Sequence, residues 1–260
     1  MFRDKHVVVT GASSGIGRSF ARQFAQAGAR VSLVARRTEK LAALADELKT
    51  NASQTAVITA DLVASGACER VLADARAAFG PIDVLVSNAG VGEYGLFPGQ
   101  QLADLEHLVH LNVLAVLRLT HQVLPEMLER RTGHLINIAS TAAFQPTPYM
   151  AVYGASKAFV LNFSMALWNE LRKTGLRVTC VCPGPVRTGF FDRGGYHTRK
   201  VDWVRLGFDS DDFARVTMKY LKQGRSVCVP GLLNKLGAFS RHLAPLPLVT
   251  RISGKILGEW

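Results

Sequence analysis

Two residues with complementary proton chemistry lie four positions apart, Tyr153 and Lys157. Their segment, 152–174, has the pattern of a helix, so side chains four apart project from the same face. A phenol with an ordinary pKa of about 10 is a poor base at neutral pH, but a nearby ammonium favours the phenolate and lowers that pKa. The spacing therefore predicts a site at which Tyr153 exchanges a proton with a substrate oxygen.

A glycine-rich turn near the N-terminus is the second candidate for chemistry. The segment from Thr10 to Gly17 reads Thr-Gly-Ala-Ser-Ser-Gly-Ile-Gly and lies between a predicted strand, 5–10, and a predicted helix, 15–28. Glycines there allow a tight turn and the close approach of a diphosphate, and the helix N-terminus offers free N–H groups and a positive dipole end. The position between a strand and a helix favours a dinucleotide site.

The end of the second predicted strand, 30–35, indicates which dinucleotide is bound. Sites for NAD place an acidic residue about 20 positions beyond the glycines to bind the ribose 2′-hydroxyl. Here the chain reads Val34-Ala35-Arg36-Arg37, without a carboxylate. Arg36 can pair with a ribose 2′-phosphate through charge-assisted hydrogen bonds, and Arg37 either assists or faces solvent. We therefore predict NADP(H) as the cofactor.

Alternating strands and helices must position these residues. Further strands are predicted at 55–60, 82–87, 133–139, 176–182 and near 226–230, and further helices at 38–50, 65–79, 101–130 and 209–223. We expect Pro125 to disturb the last part of the longest helix. The pattern predicts an α/β fold with one doubly wound, mostly parallel, Rossmann-type sheet of about seven strands and helices on both faces. Its ligand belongs at the carboxyl ends of the strands, where the strand order reverses.

Several motifs in the chain resemble those of the short-chain dehydrogenase/reductase family, over about residues 5–190. The glycine turn matches that family's T-G-x-x-x-G-x-G motif. Ser87-Asn88-Ala89-Gly90 is similar to its N-N-A-G motif with Ser in the first position. Asp61-Leu62 resembles its adenine-side Asp, and the segment from Pro183 to Thr188 resembles its P-G-x-x-x-T loop beside the nicotinamide. Its catalytic tetrad matches Asn112, Ser140, Tyr153 and Lys157 in order and spacing.

The resemblance implies a role for each matched residue. Ser140 ends a predicted strand at the ligand edge, where its hydroxyl can hydrogen-bond a developing alkoxide. Lys157 also holds the ribose hydroxyls of the nicotinamide half, and Asn112 holds a water that links Lys157 to solvent. The expected cofactor-binding residues are Gly11, Ser13, Ser14, Gly15, Ile16, Gly17, Arg36, Arg37, Asp61, Leu62, Asn88, Ala89, Gly90, Tyr153, Lys157, Pro183, Gly184, Val186 and Thr188.

Composition and charge limit the partners. The formal net charge is +11, but the basic residues are scattered, without a long basic stripe or interleaved aromatics, so we expect no nucleic-acid partner. The four cysteines form no C-x-x-C pair, and we expect buried thiols in a reducing cytoplasm and no metal site. No apolar run reaches the roughly 18 residues that cross a bilayer. We expect a cytoplasmic protein, with peripheral contact at a membrane surface left open.

We expect residues 1–260 to form one Rossmann-type domain, with 187–225 as a substrate lid and 231–260 as an amphipathic C-terminal extension. The lid contains Phe190, Phe191, Tyr196 and Trp203 among glycines, and the uncharged segment 141–152 should wall the substrate. The extension carries two apolar stripes separated by Pro245 and Pro247. Because it departs from the commonest family pattern, monomer, homodimer and the family's homotetramer all stay open. We favour packing of the extension on the domain or on another subunit over a membrane.

The sequence thus predicts an NADPH-dependent oxidoreductase that interconverts a ketone or aldehyde and an alcohol by hydride transfer, acting as a reductase of an apolar carbonyl substrate. Two alternatives remain: a catalytically silent NADPH-binding regulatory protein of the same fold, and a lipid-type reductase associated with a membrane surface.

Overall fold

The computed structural model describes residues 1–49, 54–190, 207–240 and 244–258. Strands and helices alternate through the first two thirds of the chain. They run β1 (His6–Thr10), α1 (Gly15–Gln26), β2 (Arg30–Ala35), α2 (Thr38–Lys49), β3 (Thr55–Thr59), α3 (Ala67–Phe79), β4 (Val84–Ser87), α4 (Leu102–Val109), α5 (Ala115–Glu129), β5 (Gly133–Ile138), α6 (Ala151–Leu171) and β6 (Leu176–Val181). Then follow β7 (Val186–Arg187), β8 (Phe208–Asp209), α7 (Ser210–Lys222), β9 (Val227–Cys228), α8 (Leu232–Ser240) and α9 (Leu246–Leu257).

The main sheet has seven strands in the order β3-β2-β1-β4-β5-β6-β9, and each neighbouring pair is parallel. The prediction of a doubly wound Rossmann-type sheet of about seven strands is confirmed. The order reverses between β1 and β4, so the carboxyl ends of these two strands border the crevice where such sheets bind ligands. A second, two-stranded sheet joins β7 and β8, which the sequence pattern does not reveal.

Apolar clusters cover both faces of the sheet, which explains why its strands read as continuous apolar runs. In β1, Val7 and Val9 point into one cluster with Phe20 and Phe24 of α1. Val8 points the opposite way, into the cluster formed with α3 and α5. Because adjacent strand residues face opposite sides, a strand buried on both faces must be apolar at every position.

The predicted helix over 101–130 is interrupted, but not where we expected. A π-helical turn, His110–Leu114, separates α4 from α5, while α5 continues through Pro125 to Glu129. The predicted disturbance at Pro125 is therefore wrong. The extra residue of a π turn changes the direction of nearby side chains, and such turns are frequent at functional sites. Here the turn contains Asn112.

The C-terminal segment forms α8 and α9, while 191–206, which make up the centre of the expected lid with Phe191, Tyr196 and Trp203, lie outside the described residues. Helix α8 contacts the 3₁₀ turn Thr141–Phe144, which follows β5. Helix α9 lies beside the segment after β4, where the Tyr94 hydroxyl donates to the carbonyl of Leu257 at 2.7 Å. Among the described residues, no helix combines the length and apolar composition needed to cross a bilayer.

Candidate active site

The glycine turn after β1 depends on backbone conformations that favour glycine. Gly11 and Gly15 have φ values of 68° and 52°, in the left-handed region where a Cβ is strained. A Cβ on Gly11 would lie 2.8 Å from Asn88 Nδ2, and one on Gly15 would lie 2.8 Å from Thr188 Cγ2. The turn is thus packed closely against the two loops that follow β4 and β6.

Gly17 has a packing role. A Cβ there would collide with the Gly11 carbonyl oxygen, and Gly17 does not line the cleft that the other predicted cofactor residues surround. The third glycine of such a turn allows close packing of the helix on the turn. The spacing that marks the motif therefore combines two glycines beside the cleft with one behind it.

Thr10 ties the glycine turn to the loop after β4. Its Oγ1 accepts hydrogen bonds from the backbone N–H groups of Asn88, at 2.9 Å, and Ala89, at 3.1 Å. It also donates to the Val86 carbonyl at 3.1 Å, and Asn88 Nδ2 donates to the Thr10 carbonyl at 2.9 Å. These bonds hold the segment Asn88–Gly90 against the crevice at which the strand order reverses.

Both arginines after β2 lie at the rim of the cleft. Arg37 Nη2 donates to the hydroxyls of Ser13 and Ser14, each at 3.0 Å, so Arg37 lies against the glycine turn and does not merely face solvent. Arg36 Nη1 lies 3.7 Å from Asp61 Oδ2 in a half-exposed ion pair, a kind of pair that contributes little to stability. Two guanidinium groups therefore border this end of the cleft.

Three residues of the matched tetrad converge at one point of the cleft. Ser140 follows β5, where its Oγ accepts from the Ala142 N–H at 3.1 Å and begins the 3₁₀ turn. Tyr153 and Lys157 lie one turn apart in α6, with Lys157 Nζ 5.8 Å from the centre of the Tyr153 ring. Lys157 Nζ donates to the Ile138 carbonyl at 3.0 Å, which fixes it at the end of β5. All three side chains are buried.

Burial sets the protonation of this group. It raises the pKa of Tyr153 to about 12, although a hydrogen bond with Ser140 acts in the opposite direction. Burial also lowers the pKa of Lys157 to about 8, because the charged ammonium loses its hydration. Interactions with Cys180 and Cys182 act in the opposite direction. Near neutral pH the phenol is therefore protonated and the lysine is charged. Tyr153 is ready to donate a proton, and the lowered Tyr153 pKa expected from the sequence is wrong for this structure, because burial outweighs the effect of the nearby ammonium.

Asn112 lies behind this group and does not line the cleft. Its Oδ1 accepts from the Val91 N–H at 3.0 Å, and its Nδ2 donates to the Val91 carbonyl at 2.9 Å and to Ser156 Oγ at 3.1 Å. The side chain thus clamps the backbone just after Gly90. A Cβ on Gly90 would lie 3.0 Å from Asn112 Oδ1 and 3.4 Å from Lys157 Nζ, so Gly90 permits this close approach.

The loop after β6 closes the same cleft from the other side. The Pro183 carbonyl accepts from the Thr141 N–H at 2.8 Å, which joins the loop to the segment after β5. Val186 is buried in β7. Thr188 reaches the glycine turn at Gly15. The loops after β1, β4, β5 and β6 therefore all meet around one space.

That space is a cavity of about 590 Å³. It is lined by Ser140, Tyr153 and Lys157 and by every predicted cofactor residue except Gly17: Gly11, Ser13, Ser14, Gly15, Ile16, Arg36, Arg37, Asp61, Leu62, Asn88, Ala89, Gly90, Pro183, Gly184, Val186 and Thr188. The features fit a phosphorylated dinucleotide, because α1 begins without a side-chain cap on its N–H groups and the arginines border one end. In the described part of the chain, no cluster of three His, Cys, Asp or Glu could hold a metal.

The other end of the cavity involves residues that the motifs did not single out. Phe190 packs on the Tyr153 ring, with centroids 5.5 Å apart. The remaining lining there includes Glu93, Gln145, Thr147, Met150, Leu233, Asn234, Gly237, Ala238, Ser253, Ile256 and Leu257. Burial raises the pKa of Glu93, with Asp104 adding to the effect. The sequence predicts the uncharged segment 141–152 and the lid residue Phe190 at this end, whereas residues such as Asn234 and Ser253 belong to no recognisable motif.

Comparison with protein families matches residues 5–195 to the short chain dehydrogenase family. An NADP-dependent 3-hydroxy acid dehydrogenase of Salmonella typhi is 43% identical over 184 residues, which cover 69% of this chain and 72% of that protein.

Two solved structures extend the similarity to nearly the whole chain. A short-chain dehydrogenase from Sphingobium yanoikuyae in complex with NADPH has a TM-score of 0.80 and 32% identity, over 92% of this chain and 94% of its own. A bulky-bulky ketone specific alcohol dehydrogenase from Comamonas testosteroni has a TM-score of 0.78 and 30% identity, over 92% and 93%.

Proposed function

We propose that this chain, which belongs to the short chain dehydrogenase family, is an NADPH-dependent oxidoreductase that reduces an apolar ketone or aldehyde to the alcohol. The observation that carries the proposal is the group formed by Ser140, Tyr153 and Lys157 at the carboxyl end of β5, inside the cavity that the glycine turn borders. A proton donor, a hydrogen-bond donor and a cation stand together there, beside a site that fits a dinucleotide.

NADPH supplies a hydride to the carbonyl carbon when it is bound. Gly11 and Gly15 leave room for its diphosphate, and Arg36 and Arg37 pair with its ribose 2′-phosphate. Support comes from the NADPH complex of the Sphingobium relative and from the NADP-dependent Salmonella relative. Lys157 and Tyr153 complete the cofactor site, and Asp61, Leu62, Asn88 and Ala89 border the adenine half and the middle of the cleft.

The protein's own contribution to reduction is the delivery of one proton. The Ser140 hydroxyl donates a hydrogen bond to the substrate oxygen and stabilises the charge that develops on it. The Tyr153 phenol then transfers its proton to that oxygen. The Lys157 ammonium stabilises the phenolate that remains. Asn112 positions Val91 and thereby the segment that packs against Lys157, and the expected water-mediated link from Lys157 to solvent remains part of the proposal.

An apolar substrate fits the far end of the cavity. Phe190, Met150, Leu233, Ile256 and Leu257 line this end, and the carboxylate of Glu93, which also lines the cavity, would repel an anionic substrate. The relative from Comamonas is named for bulky ketones, which favours this class. The 3-hydroxy acids named for the Salmonella relative carry a carboxylate and fit these walls less well.

A silent NADPH-binding regulatory protein is the competing function. It would require an incomplete proton-transfer group, whereas Ser140, Tyr153 and Lys157 are all present and adjacent here. The reductase is therefore the better-supported function.

A Tyr153→Phe variant tests the proposal directly. A panel of ketones, aldehydes and alcohols is first screened for consumption of NADPH or NADP. With the best substrate, Tyr153→Phe should lower kcat by about a hundredfold to ten-thousandfold, the usual range for removal of a general acid. NADPH affinity, measured by fluorescence titration, should change by less than about twofold because the ring remains.

Tyr220→Phe, which changes a tyrosine outside the cavity, is the matched control and should keep full activity. Undiminished turnover in Tyr153→Phe would show that the chemistry occurs elsewhere. NADPH binding without turnover of any substrate in the panel would favour the regulatory alternative.

A further inference from the structure

The two C-terminal helices present a row of large apolar side chains to solvent. In α9, Leu248, Ile252 and Ile256 follow at intervals of four, and α8 adds Leu232 and Leu236, with exposures between 48% and 73%. Residues four apart share one face of a helix. Contiguous exposed apolar surface of this kind marks a binding surface in a folded protein.

The inner faces of the same helices already pack on the domain. Val249 and Ser253 of α9 and Ala238 of α8 are buried, and the Leu257 carbonyl accepts from Tyr94. The exposed leucines and isoleucines therefore are not the faces that hold the helices in place. They form a second apolar face, which packing within the described chain leaves uncovered.

Charge identifies the partner of this face. The extension, residues 231–260, contains Lys235, Arg241, Arg251 and Lys255, and its one acidic residue is Glu259, which follows α9. In α9, Arg251 and Lys255 are exposed and lie one turn apart, next to the apolar row. An apolar face bordered only by basic residues is the composition of helices that lie in the interface of an anionic membrane.

A second copy of the chain, which the sequence alone favoured over a membrane, is a poorer match. A two-fold interface brings the same surface of two subunits together, so it would enclose Arg251 and Lys255 of both copies. Helices α8 and α9 contain no carboxylate with which to pair them. Anionic lipid headgroups supply the opposite charge at high density, and the net charge of +11 adds long-range attraction.

The apolar face adjoins the substrate end of the cavity. Leu233 and Ile256 both line the cavity and are at least half exposed. We propose that α8 and α9 dock reversibly on an anionic lipid surface, with the substrate end of the cavity opening towards the bilayer interface. The docking surface is independent of the proposed turnover, and the substrate entry that it implies rests on the proposed function.

Vesicle binding tests the docking. The full-length protein is sedimented with vesicles of phosphatidylcholine alone or of equal parts phosphatidylcholine and phosphatidylglycerol. Binding to the anionic vesicles should be at least about tenfold stronger and should weaken as added salt screens the basic residues. Equal binding to both vesicles, or binding to neither, would overturn the proposal.

Two double variants locate the surface. Leu248→Gln with Ile252→Gln removes apolar contact, and Arg251→Gln with Lys255→Gln removes charge; each should weaken binding to anionic vesicles by at least about tenfold. Neither pair lines the cavity, so NADPH affinity should stay unchanged. Matched controls are Leu117→Gln with Leu128→Gln, which are exposed on α5, and Arg172→Gln with Lys173→Gln, which are exposed after α6.

The controls should bind vesicles like the unmodified protein. Retained binding in both test variants would overturn the assignment of the surface. A protein that binds no vesicle, and whose mass by light scattering falls when Leu248 and Ile252 are changed, would instead show that a second copy covers this face.

Discussion

The two ends of the cavity are built in different ways. At the cofactor end, the side chains and glycines stand within a few residues of a strand end, and hydrogen bonds from neighbouring strands fix them, as Thr10 does for Asn88 and Ala89. At the substrate end, the walls come from loops and from α8 and α9, which touch the domain through few buried residues such as Val249 and Ser253. A rigid sheet thus specifies one ligand, while peripheral helices specify the other.

The two ends therefore differ in how easily their structure can change. A sheet whose strands are buried on both faces tolerates little movement, so it suits a cofactor that never varies. Helices that rest on the surface can be exchanged or reshaped with little cost to the core. Changes at the cofactor end should therefore alter cofactor affinity, and with it the reaction of every substrate. Changes at the substrate end should alter only the choice of substrate.

Among the changes that test this contrast between the two ends, the largest effect is expected from the two arginines at the rim. Arg36→Ala combined with Arg37→Ala should lower NADPH affinity by about a hundredfold, because each loses a charge-assisted hydrogen bond to the 2′-phosphate. NADH affinity should change by less than about threefold, and Arg36→Asp alone should reduce or invert the preference. Fluorescence titration with both cofactors measures this.

The control for that experiment is Arg18→Ala, which removes an arginine that pairs with Glu47 outside the cleft. It should leave both affinities unchanged. If the unmodified protein binds NADPH and NADH equally well, the arginines do not bind the ribose 2′-phosphate, and the assignment of the cofactor end is wrong.

The next effect is the pH dependence of carbonyl reduction, which depends on Lys157, between the cofactor end and the substrate end. Burial lowers the pKa of Lys157 to about 8, so the lysine loses its charge as the pH rises through that value. The phenolate of Tyr153 then has no ammonium beside it, and the phenol becomes a weaker acid. The rate of carbonyl reduction should be level below about pH 8 and decline by up to about tenfold per pH unit above it.

The rate is measured as NADPH consumption at saturating cofactor across this range. Lys157→Arg supplies the comparison, because a guanidinium keeps its charge throughout; whatever activity it retains should show no decline near pH 8. A decline at the same pH in Lys157→Arg would assign the titration to another group.

A smaller effect is expected at the substrate end. Gly237 in α8 lines the cavity, and a Cβ there would meet no atom of the described residues within 4 Å. Gly237→Leu should raise the KM for a bulky ketone by several-fold, because the side chain takes space from the substrate, while NADPH affinity and the KM for a small aldehyde stay nearly constant. Leucine also favours a helix over glycine, so the fold should survive.

Gly99→Leu is the matched control, since a Cβ on Gly99 also meets no atom within 4 Å in the described part of the chain, and Gly99 lies outside this cavity. An equal rise in KM for small and bulky substrates in Gly237→Leu would mean that α8 acts on the whole site. The contrast between the two ends would then fail.

The sequence predicts the two ends unequally for a physical reason. The sheet follows from apolar strands alternating with helices, and Gly11, Gly15 and the Tyr153–Lys157 spacing follow from local backbone and side-chain geometry. Glu93, Asn234 and Ser253 could not be recognised, because their places in the cavity depend on how separate segments pack. Local rules likewise placed the helix disturbance at Pro125, while the interruption occurs at Asn112, whose side chain binds the distant Val91.

The hydrogen bond between Tyr94 and Leu257 spans 163 residues, and this separation has a consequence for biosynthesis. All strands of the main sheet, and α7, whose Phe213 packs on Phe20 of α1, leave the ribosome about 30 residues before Leu257. At roughly 5–20 residues per second, that interval lasts about 1.5–6 seconds. A nascent chain would thus pass through a period in which the elements of the cofactor end are complete and those that enclose the substrate are not. Ligand captured then would favour the native sheet by mass action, so the cellular supply of cofactor would influence how much protein matures.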